Sequence, residues 1–155
     1  MDTLTPQQRH TVMSRIHGKN TVPEKQIRSA LHRAGFRYRI CDKRRPGTPD
    51  MVLPRYYAVI FVHGCFWHAH DHCGIFRFPK SNQLFWIKKF IRNKKRDRAI
   101  ISQYRAQCWR VCVVWECAIR GKKSKQKIDN VSKEIILWLE ESNEPYLELR
   151  RPIQP

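Results

Sequence analysis

The chain has 155 residues, a length that suits one compact domain with a single core. Its 31 Lys and Arg against 13 Asp and Glu give a net charge of +18, which favours a polyanionic partner, nucleic acid before an acidic membrane surface. No apolar run approaches the roughly 20 residues of a membrane span, and the polar residues 1–10 do not resemble a secretory signal, so we expect a cytoplasmic protein.

Helical and strand patterns alternate along the chain. Thr5-Pro6 begins a first helix that we expect to reach about residue 17, and Thr21 begins a second with the capping-box spacing to Glu24. Strands are predicted at 36–40, 51–53, 57–62 and 109–115, further helices at 83–106 and 128–139, and a short edge strand at 146–149. This order predicts an α/β fold with a central mixed β-sheet flanked by helices.

The irregular segment 63–81 is dense in metal-binding side chains. Cys65, Cys73 and one of His70 or His72, together with a distant Cys117, offer the four nitrogen and sulfur ligands of a closed tetrahedral zinc site. In a reducing compartment, cysteines beside histidines indicate such a site or core packing rather than disulfides. The simpler alternative is a zinc-binding loop that carries no chemistry.

Two other histidines of this segment, His63 and His68, then remain for proton transfer, because an imidazole titrates near neutral pH. Asp50 follows Pro49 at the start of a predicted strand, where a carboxylate is able to hold Mg²⁺ for phosphodiester cleavage. A Pro-Asp pair is more often a structural turn, so this pattern alone is a weak signal.

Large aromatic side chains lie in the same segment, at Phe66 and Trp67, and in the following helix, at Phe85 and Trp86. Aromatic rings beside basic residues suit base stacking or a wedge in a duplex, and a wedge costs less where a base pair is already mismatched. For Trp86, a place in the core is an equally good interpretation. Six basic side chains of the same helix are expected to follow phosphates: Lys88, Lys89, Arg92, Lys94, Lys95 and Arg96.

At these residues the sequence resembles the Vsr endonuclease family, a divergent branch of the PD-(D/E)XK nuclease superfamily. The resemblance runs nearly from end to end, and its most specific parts are the block 63–68 and the ending 115–117. It is carried by Met13, Pro23 to Lys25, Pro46 to Asp50, Val62 to His68, Phe85-Trp86, Asn93, Arg96-Asp97, Trp109 to Val111 and Trp115 to Cys117.

The resemblance implies a single Vsr-type endonuclease domain over 1–155, with an N-terminal helix within 1–20 that contacts DNA. Its activity would be a Mg²⁺-dependent nick of one strand, 5′ of the thymine in T·G mispairs that arise when 5-methylcytosine deaminates, as in very-short-patch repair. The implied partners are double-stranded DNA with that mismatch, a cytosine-5 DNA methyltransferase as functional neighbour, and mismatch-repair proteins. We expect a monomer in the bacterial cytoplasm, associated with the nucleoid.

The same resemblance assigns roles to individual residues. Asp50 would bind the catalytic Mg²⁺, His68 would activate the attacking water, and His63 would assist at the scissile phosphate or leaving group. Glu24 would orient His68 or a water held by the metal. Structural zinc would be held by Cys65, His70, Cys73 and Cys117, with His70 preferred to His72. Phe66, Trp67 and Trp86 would wedge beside the mispair from the major groove and Met13 from the minor groove.

The sequence departs from the superfamily at two points. Most members carry a second acidic residue and a lysine on the strand after the Pro-Asp pair, where this chain has Phe61-Val62-His63. The family often has Thr where this chain has Val62, but a metal that takes the backbone carbonyl there is indifferent to the side chain. Two alternative functions remain: a restriction-type nuclease of the same superfamily, and a non-catalytic zinc-stabilised DNA-binding module.

Overall fold

The computed structural model describes residues 4–15 and 18–153. Within these residues there are four helices and four strands, with two short 3-10 turns at Pro54–Tyr56 and Glu116–Ala118. The elements in order are α1 (Pro6–Ser14), α2 (Val22–Arg33), β1 (Met51–Leu53), β2 (Ala58–His63), α3 (Gln83–Ala106), β3 (Arg110–Trp115), α4 (Ser124–Glu141) and β4 (Tyr146–Leu149).

The four strands form one mixed sheet in the order β1-β2-β3-β4. β1 runs antiparallel to β2, whereas β2, β3 and β4 are parallel to one another. One face packs on α2 and α4 through residues such as Ile27, Ile60 and Ile135, and the other packs on α3 through Phe61 and Tyr104. Because helices cover both faces, β2 is buried at every position, which explains its unbroken apolar run. The predicted α/β fold is confirmed.

The strand predicted at 36–40 is wrong. Only Arg39 pairs with the sheet there, as an isolated antiparallel bridge to Val52. Phe36 packs into the core, but Ile40 is 50% exposed, and the backbone turns away at Cys41, which has a positive φ of 50°. A three-residue β1 offers this segment too short an edge for a regular ladder.

Two helix boundaries also differ from the prediction. Helix α1 ends at Ser14, and the predicted extension to residue 17 falls on residues 16–17, which lie outside the described residues. Helix α4 begins at Ser124 rather than at residue 128, directly after Lys123 in the left-handed conformation. The apolar periodicity alone does not indicate that first turn, because residues 124–127 are all polar.

The first helix is held mainly by its own N-terminal cap. The Thr5 hydroxyl accepts a hydrogen bond from the Gln8 backbone N–H, and the Gln8 side chain accepts one from the Thr5 backbone N–H, which is the capping box. None of its described residues is buried.

Among the described residues, no helix combines the length and apolarity that crossing a membrane requires.

Candidate active site

Asp50 lies at the edge of the sheet where β1 begins. The antiparallel register of β1 and β2 brings the start of β1 beside the end of β2, and one Asp50 carboxylate oxygen accepts a hydrogen bond of 2.6 Å from the backbone N–H of Val62. A cleft opens at this edge, and its lining includes Glu24, Asp50, His63, His68 and Asp97. The strand pairing therefore gathers the candidate acidic and imidazole groups around one space.

Glu24 supplies a second carboxylate beside Asp50. Its side chain is nearly inaccessible to solvent and accepts hydrogen bonds from the Asn20 N–H at 2.9 Å, the Thr21 hydroxyl at 3.1 Å and the Arg28 guanidinium at 3.0 Å. Burial raises the pKa of Asp50 to about 7, and the charge of Glu24 adds to this rise while the Val62 N–H opposes it. Asp50 is a buried carboxyl group that resists ionisation beside a second carboxylate. A cation bound between them would stabilise the ionised form of both.

His68 is held by a carboxylate that the sequence analysis assigned no role. Its Nδ1 lies 2.5 Å from an oxygen of Asp97 on α3, whereas Glu24 is hydrogen-bonded to Asn20, Thr21 and Arg28. Burial raises the pKa of Asp97, but the hydrogen bond from His68 and the neighbouring charges, Arg96 among them, together outweigh burial, and the net shift of the pKa is downward. With Nδ1 engaged by Asp97, Nε2 is the ring nitrogen of His68 left free to accept a proton.

His63 stacks on His68, with ring centroids 3.8 Å apart and planes inclined by 5°. Burial lowers the pKa of His63 to about 3, and the neighbouring His68 contributes to the same shift, so the His63 ring is neutral. Ligand atoms of His63, His68 and Asp97 lie within 4.8 Å of one another. The nitrogen lone pairs of two stacked rings lie in parallel planes and do not converge on one ion, so this group favours proton transfer over metal binding.

Four buried side chains converge at the far end of the irregular segment: Cys65, His70, Cys73 and Cys117. The His70 Nδ1 lies 3.6 Å from the Cys65 sulfur and 3.5 Å from the Cys117 sulfur. Ligands at zinc–sulfur and zinc–nitrogen bond lengths around a tetrahedral ion are about 3.6 Å apart. The fourth cysteine, Cys73, is buried against the same sulfurs, whereas His72 is exposed. The donor set and its spacing therefore fit a zinc ion.

A hydrogen bond joins the thiols of Cys65 and Cys117. A hydrogen bond from Cys65 lowers the pKa of Cys117 to about 5, and the same contact, together with burial, raises the pKa of Cys65. A thiolate already favoured at Cys117 is the form that binds a metal. Cys117 lies in the short 3-10 turn that follows β3, so an ion here would tie the irregular segment to the end of a central strand.

Aromatic rings cluster around Phe66, and one of them, Trp67, borders a second cleft that His68 also lines. Phe66 lies edge-on to Trp67 and to Trp86, with centroids 5.1 Å apart in both pairs, and the Lys89 ammonium lies 5.1 Å from the Trp67 ring and 5.2 Å from the Trp86 ring. All three rings are partly exposed, Trp86 included. Trp86 also packs on the buried Phe90, so its ring belongs to both the packed layer and the surface cluster.

The backbone of Trp67 is fixed from helix α3. The Asn93 side-chain amide donates a hydrogen bond of 2.8 Å to the Trp67 carbonyl. Met13, which is 38% exposed, borders a second cleft together with Trp67 and His68. The structure thus brings Met13, the aromatic cluster and the imidazole pair to adjoining surfaces.

An α/β sheet with acidic and imidazole side chains gathered at one edge of β1 and β2 is the architecture of a PD-(D/E)XK nuclease. The profile of the family described as DNA mismatch endonuclease Vsr matches residues 1–74. The chain is 46% identical over 118 residues to the type II nicking enzyme V.XorIIP of Xanthomonas oryzae, an alignment that covers 76% of this chain and 86% of that protein.

Two further relatives give the same result. The DNA mismatch endonuclease Vsr of Escherichia coli is 44% identical, over 72% of this chain and 70% of its own length. The type II nicking enzyme V.NmeAIP of Neisseria meningitidis is 41% identical, over 86% of this chain and 96% of its own length. The chain therefore belongs to the Vsr family of DNA endonucleases.

Proposed function

We propose that this protein nicks one strand of duplex DNA on the 5′ side of the thymine in a T·G mispair, in a Mg²⁺-dependent reaction. The observation that carries the proposal is that Asp50 and His68 line one cleft, with an aromatic cluster on the adjoining surface. The relative in Escherichia coli is named a mismatch endonuclease, and two others are named nicking enzymes. The whole chain, 1–155, would act as one domain.

His68 is the proposed general base. Asp97 binds its Nδ1 at 2.5 Å, fixes the ring orientation and stabilises the imidazolium that forms when Nε2 takes a proton from water. The neutral His63 packs flat on this ring and would donate a hydrogen bond to a phosphate or leaving-group oxygen. Because His63 is neutral, Asp97 is the charged group in contact with the His68 ring.

Asp50 and the backbone carbonyl of Val62 are the proposed magnesium ligands. The Val62 N–H is directed at Asp50, and in an extended strand the carbonyl of the same residue points to the same edge. When bound, the divalent ion would stabilise charge on the phosphate and on the leaving oxygen. Glu24, on the other side of Asp50, would accept hydrogen bonds from the water molecules that Mg²⁺ retains.

Zinc is the proposed occupant of the cluster formed by Cys65, His70, Cys73 and Cys117, with a structural role. All four ligands come from protein side chains, which is the pattern of a closed structural site. Such an ion contributes on the order of 10 kcal/mol to ordering the segment that it closes. The segment between Cys65 and Cys73 carries Phe66, Trp67 and His68, so the ion would hold both the wedge and the base in position.

Mismatch preference would come from the aromatic cluster. Inserting Phe66, Trp67 and Trp86 beside a base pair costs a few kcal/mol of unstacking, and this cost is least where the pair is already a mismatch. Met13 would enter from the minor groove. A surface of +18 net charge would hold the duplex through its phosphates. The proposed functional partners are a cytosine-5 DNA methyltransferase and mismatch-repair proteins. The protein itself would act as a monomer at the nucleoid.

A nicking assay on matched and T·G-mismatched duplexes tests the proposal. Asp50→Ala and His68→Ala should bind mismatched DNA as the wild-type protein does but lose nicking by at least 100-fold. Asp129→Ala and His32→Ala are matched controls, since both side chains are exposed and neither lines the cleft, and should nick normally. Normal nicking by Asp50→Ala would refute the site. Double-strand cleavage of matched duplexes would instead identify a restriction-type nuclease.

A further inference from the structure

Trp115, at the end of β3, lies between the cysteine-histidine cluster and the imidazole pair. One face of its indole stacks on the His70 ring, with centroids 3.8 Å apart and planes inclined by 4°. The same indole meets His63 edge-on at 5.2 Å and His68 edge-on at 6.0 Å. A single rigid side chain therefore contacts a proposed zinc ligand and both histidines proposed for the reaction.

Two contacts hold the indole in this orientation. The Trp115 backbone pairs with His63 across the parallel β2-β3 ladder, so the position of its Cα relative to His63 is set by the sheet. Its Nε1–H donates a hydrogen bond of 2.7 Å to the carboxylate of Glu148 on β4. Because β4 is the neighbouring strand of the same sheet, the ring is fixed by the sheet and not by the irregular segment that it supports.

His70 lacks the contact that usually orients a metal-binding histidine. A ligating imidazole ordinarily donates its second ring N–H to a carboxylate, carbonyl or water. Here Nδ1 faces the sulfurs of Cys65 and Cys117, and the buried Nε2 has no hydrogen-bond partner among the described residues. The flat stack on Trp115 is the contact that fixes the plane of this ring.

We infer that Trp115 is a positioning residue for the nicking reaction, which couples the ring of the zinc ligand His70 to the stacked pair His63 and His68. Its proposed action is through the three imidazoles that it orients. The inference rests on the proposed function, since it needs His68 as the base. It adds a route by which occupation of the zinc site fixes the geometry of proton transfer.

Single-turnover nicking at saturating mismatched DNA tests the inference, with zinc content measured on every preparation. Trp115→Leu removes the aromatic face and should lower the nicking rate about 10- to 100-fold, the range found when groups that orient ligands are removed, with unchanged DNA affinity. Trp115→Phe restores a stacking ring and should recover most of the rate. Trp109→Phe is the matched control, because Trp109 precedes the same strand and packs instead on Tyr57 and Arg45.

A spectroscopic measurement does not depend on the leucine variant folding. The ring currents of Trp115 should displace the carbon-bound proton signals of His63, His68 and His70 in the wild-type protein, and Trp115→Phe should shift all three sets whereas Trp109→Phe should shift none. The inference is overturned if Trp115→Leu nicks at the wild-type rate, or if its lower rate is fully explained by lost zinc or by weaker DNA binding. It is also overturned if the proton signals of the three histidines do not shift in Trp115→Phe.

The failure of this inference and the failure of the proposed function give different results. If His68→Ala nicks normally, the base is wrongly assigned, whatever Trp115 does. If His68→Ala is inactive while Trp115→Leu retains full rate with zinc bound, the base stands and only the positioning role fails.

Discussion

Replacing Asp50 with Asn should make the magnesium-free protein more stable, even though it removes a proposed catalytic group. Burial of Asp50, with Glu24 close by, raises its pKa from 3.8 to about 7. The ionised carboxylate therefore opposes folding at neutral pH. An amide keeps the shape of the side chain, still accepts the hydrogen bond from the Val62 N–H and carries no charge.

The size of the effect follows from proton linkage. When the pKa of a carboxyl group is higher in the folded than in the unfolded protein, the group contributes its full stabilisation below the unfolded-state pKa. This stabilisation is lost as the pH rises through the folded-state pKa. The cost thus grows between pH 3.8 and about 7 and is constant above. At 1.36 kcal/mol for each pKa unit it reaches about 4 kcal/mol at most, and Asp50→Asn should recover this amount at pH 8 but little at pH 4.

Urea denaturation of magnesium-free protein at pH 4, 6 and 8 measures the difference, without a chelator that would also remove zinc. Asp129→Asn is the control, because Asp129 is exposed on α4 and should change stability by less than about 0.5 kcal/mol at every pH. Added Mg²⁺ should stabilise the wild-type protein and not the Asp50 variant. A pH-independent difference between the two proteins, or a less stable variant at pH 8, would refute the argument.

Three further substitutions test separate parts of the site. Asp97→Asn, which keeps a hydrogen bond but favours the wrong His68 tautomer, should lower the nicking rate by about 100-fold or more with DNA affinity unchanged; an unaltered rate would remove Asp97 from the mechanism. Trp67→Ala should narrow the preference for T·G over T·A duplexes in competition nicking, and an unchanged ratio would argue against the wedge. Cys117→Ser should lower the zinc content and the solubility, whereas Cys108→Ser, at an exposed cysteine, should change neither.

The parts of the fold that follow from local patterns could be predicted from the sequence. The apolar runs of β2 and β3 and the long helix α3 appear where expected, because burial on two faces and a long helical repeat each leave a direct signature in the sequence. The strand predicted at 36–40 failed, because Phe36 packs into the core while the backbone of the segment makes one bridge. Whether an edge segment pairs depends on the length of its neighbour, which no local pattern records.

The candidate site shows the same division. Spacing indicated Cys65, Cys73 and Cys117, and the structure brings them together with His70. The pairing of His68 with Asp97 was missed, since it joins a loop to a helix 29 residues later and an acidic residue within a basic helix reads as surface charge. Within the protein, Glu24 is hydrogen-bonded to Asn20, Thr21 and Arg28, and its expected role toward His68 or a metal-held water stays a prediction.

The proposed magnesium ligand Asp50 is positioned by the sheet, whereas the proposed zinc ligands lie mainly in an irregular segment. This difference accounts for how the site would be assembled. Asp50 is held by the backbone of β2, so its position depends only on regular strand pairing. His68 lies in an irregular segment, and its ring is fixed from three sides, by Asp97 of α3, by the stacked His63 and by the edge of Trp115. An irregular segment loses more conformational entropy when it is fixed than a strand already in a ladder does. A zinc ion at the proposed site of Cys65, His70, Cys73 and Cys117 would compensate for that loss next to the proposed base, whereas the position of Asp50 on the sheet would not depend on it.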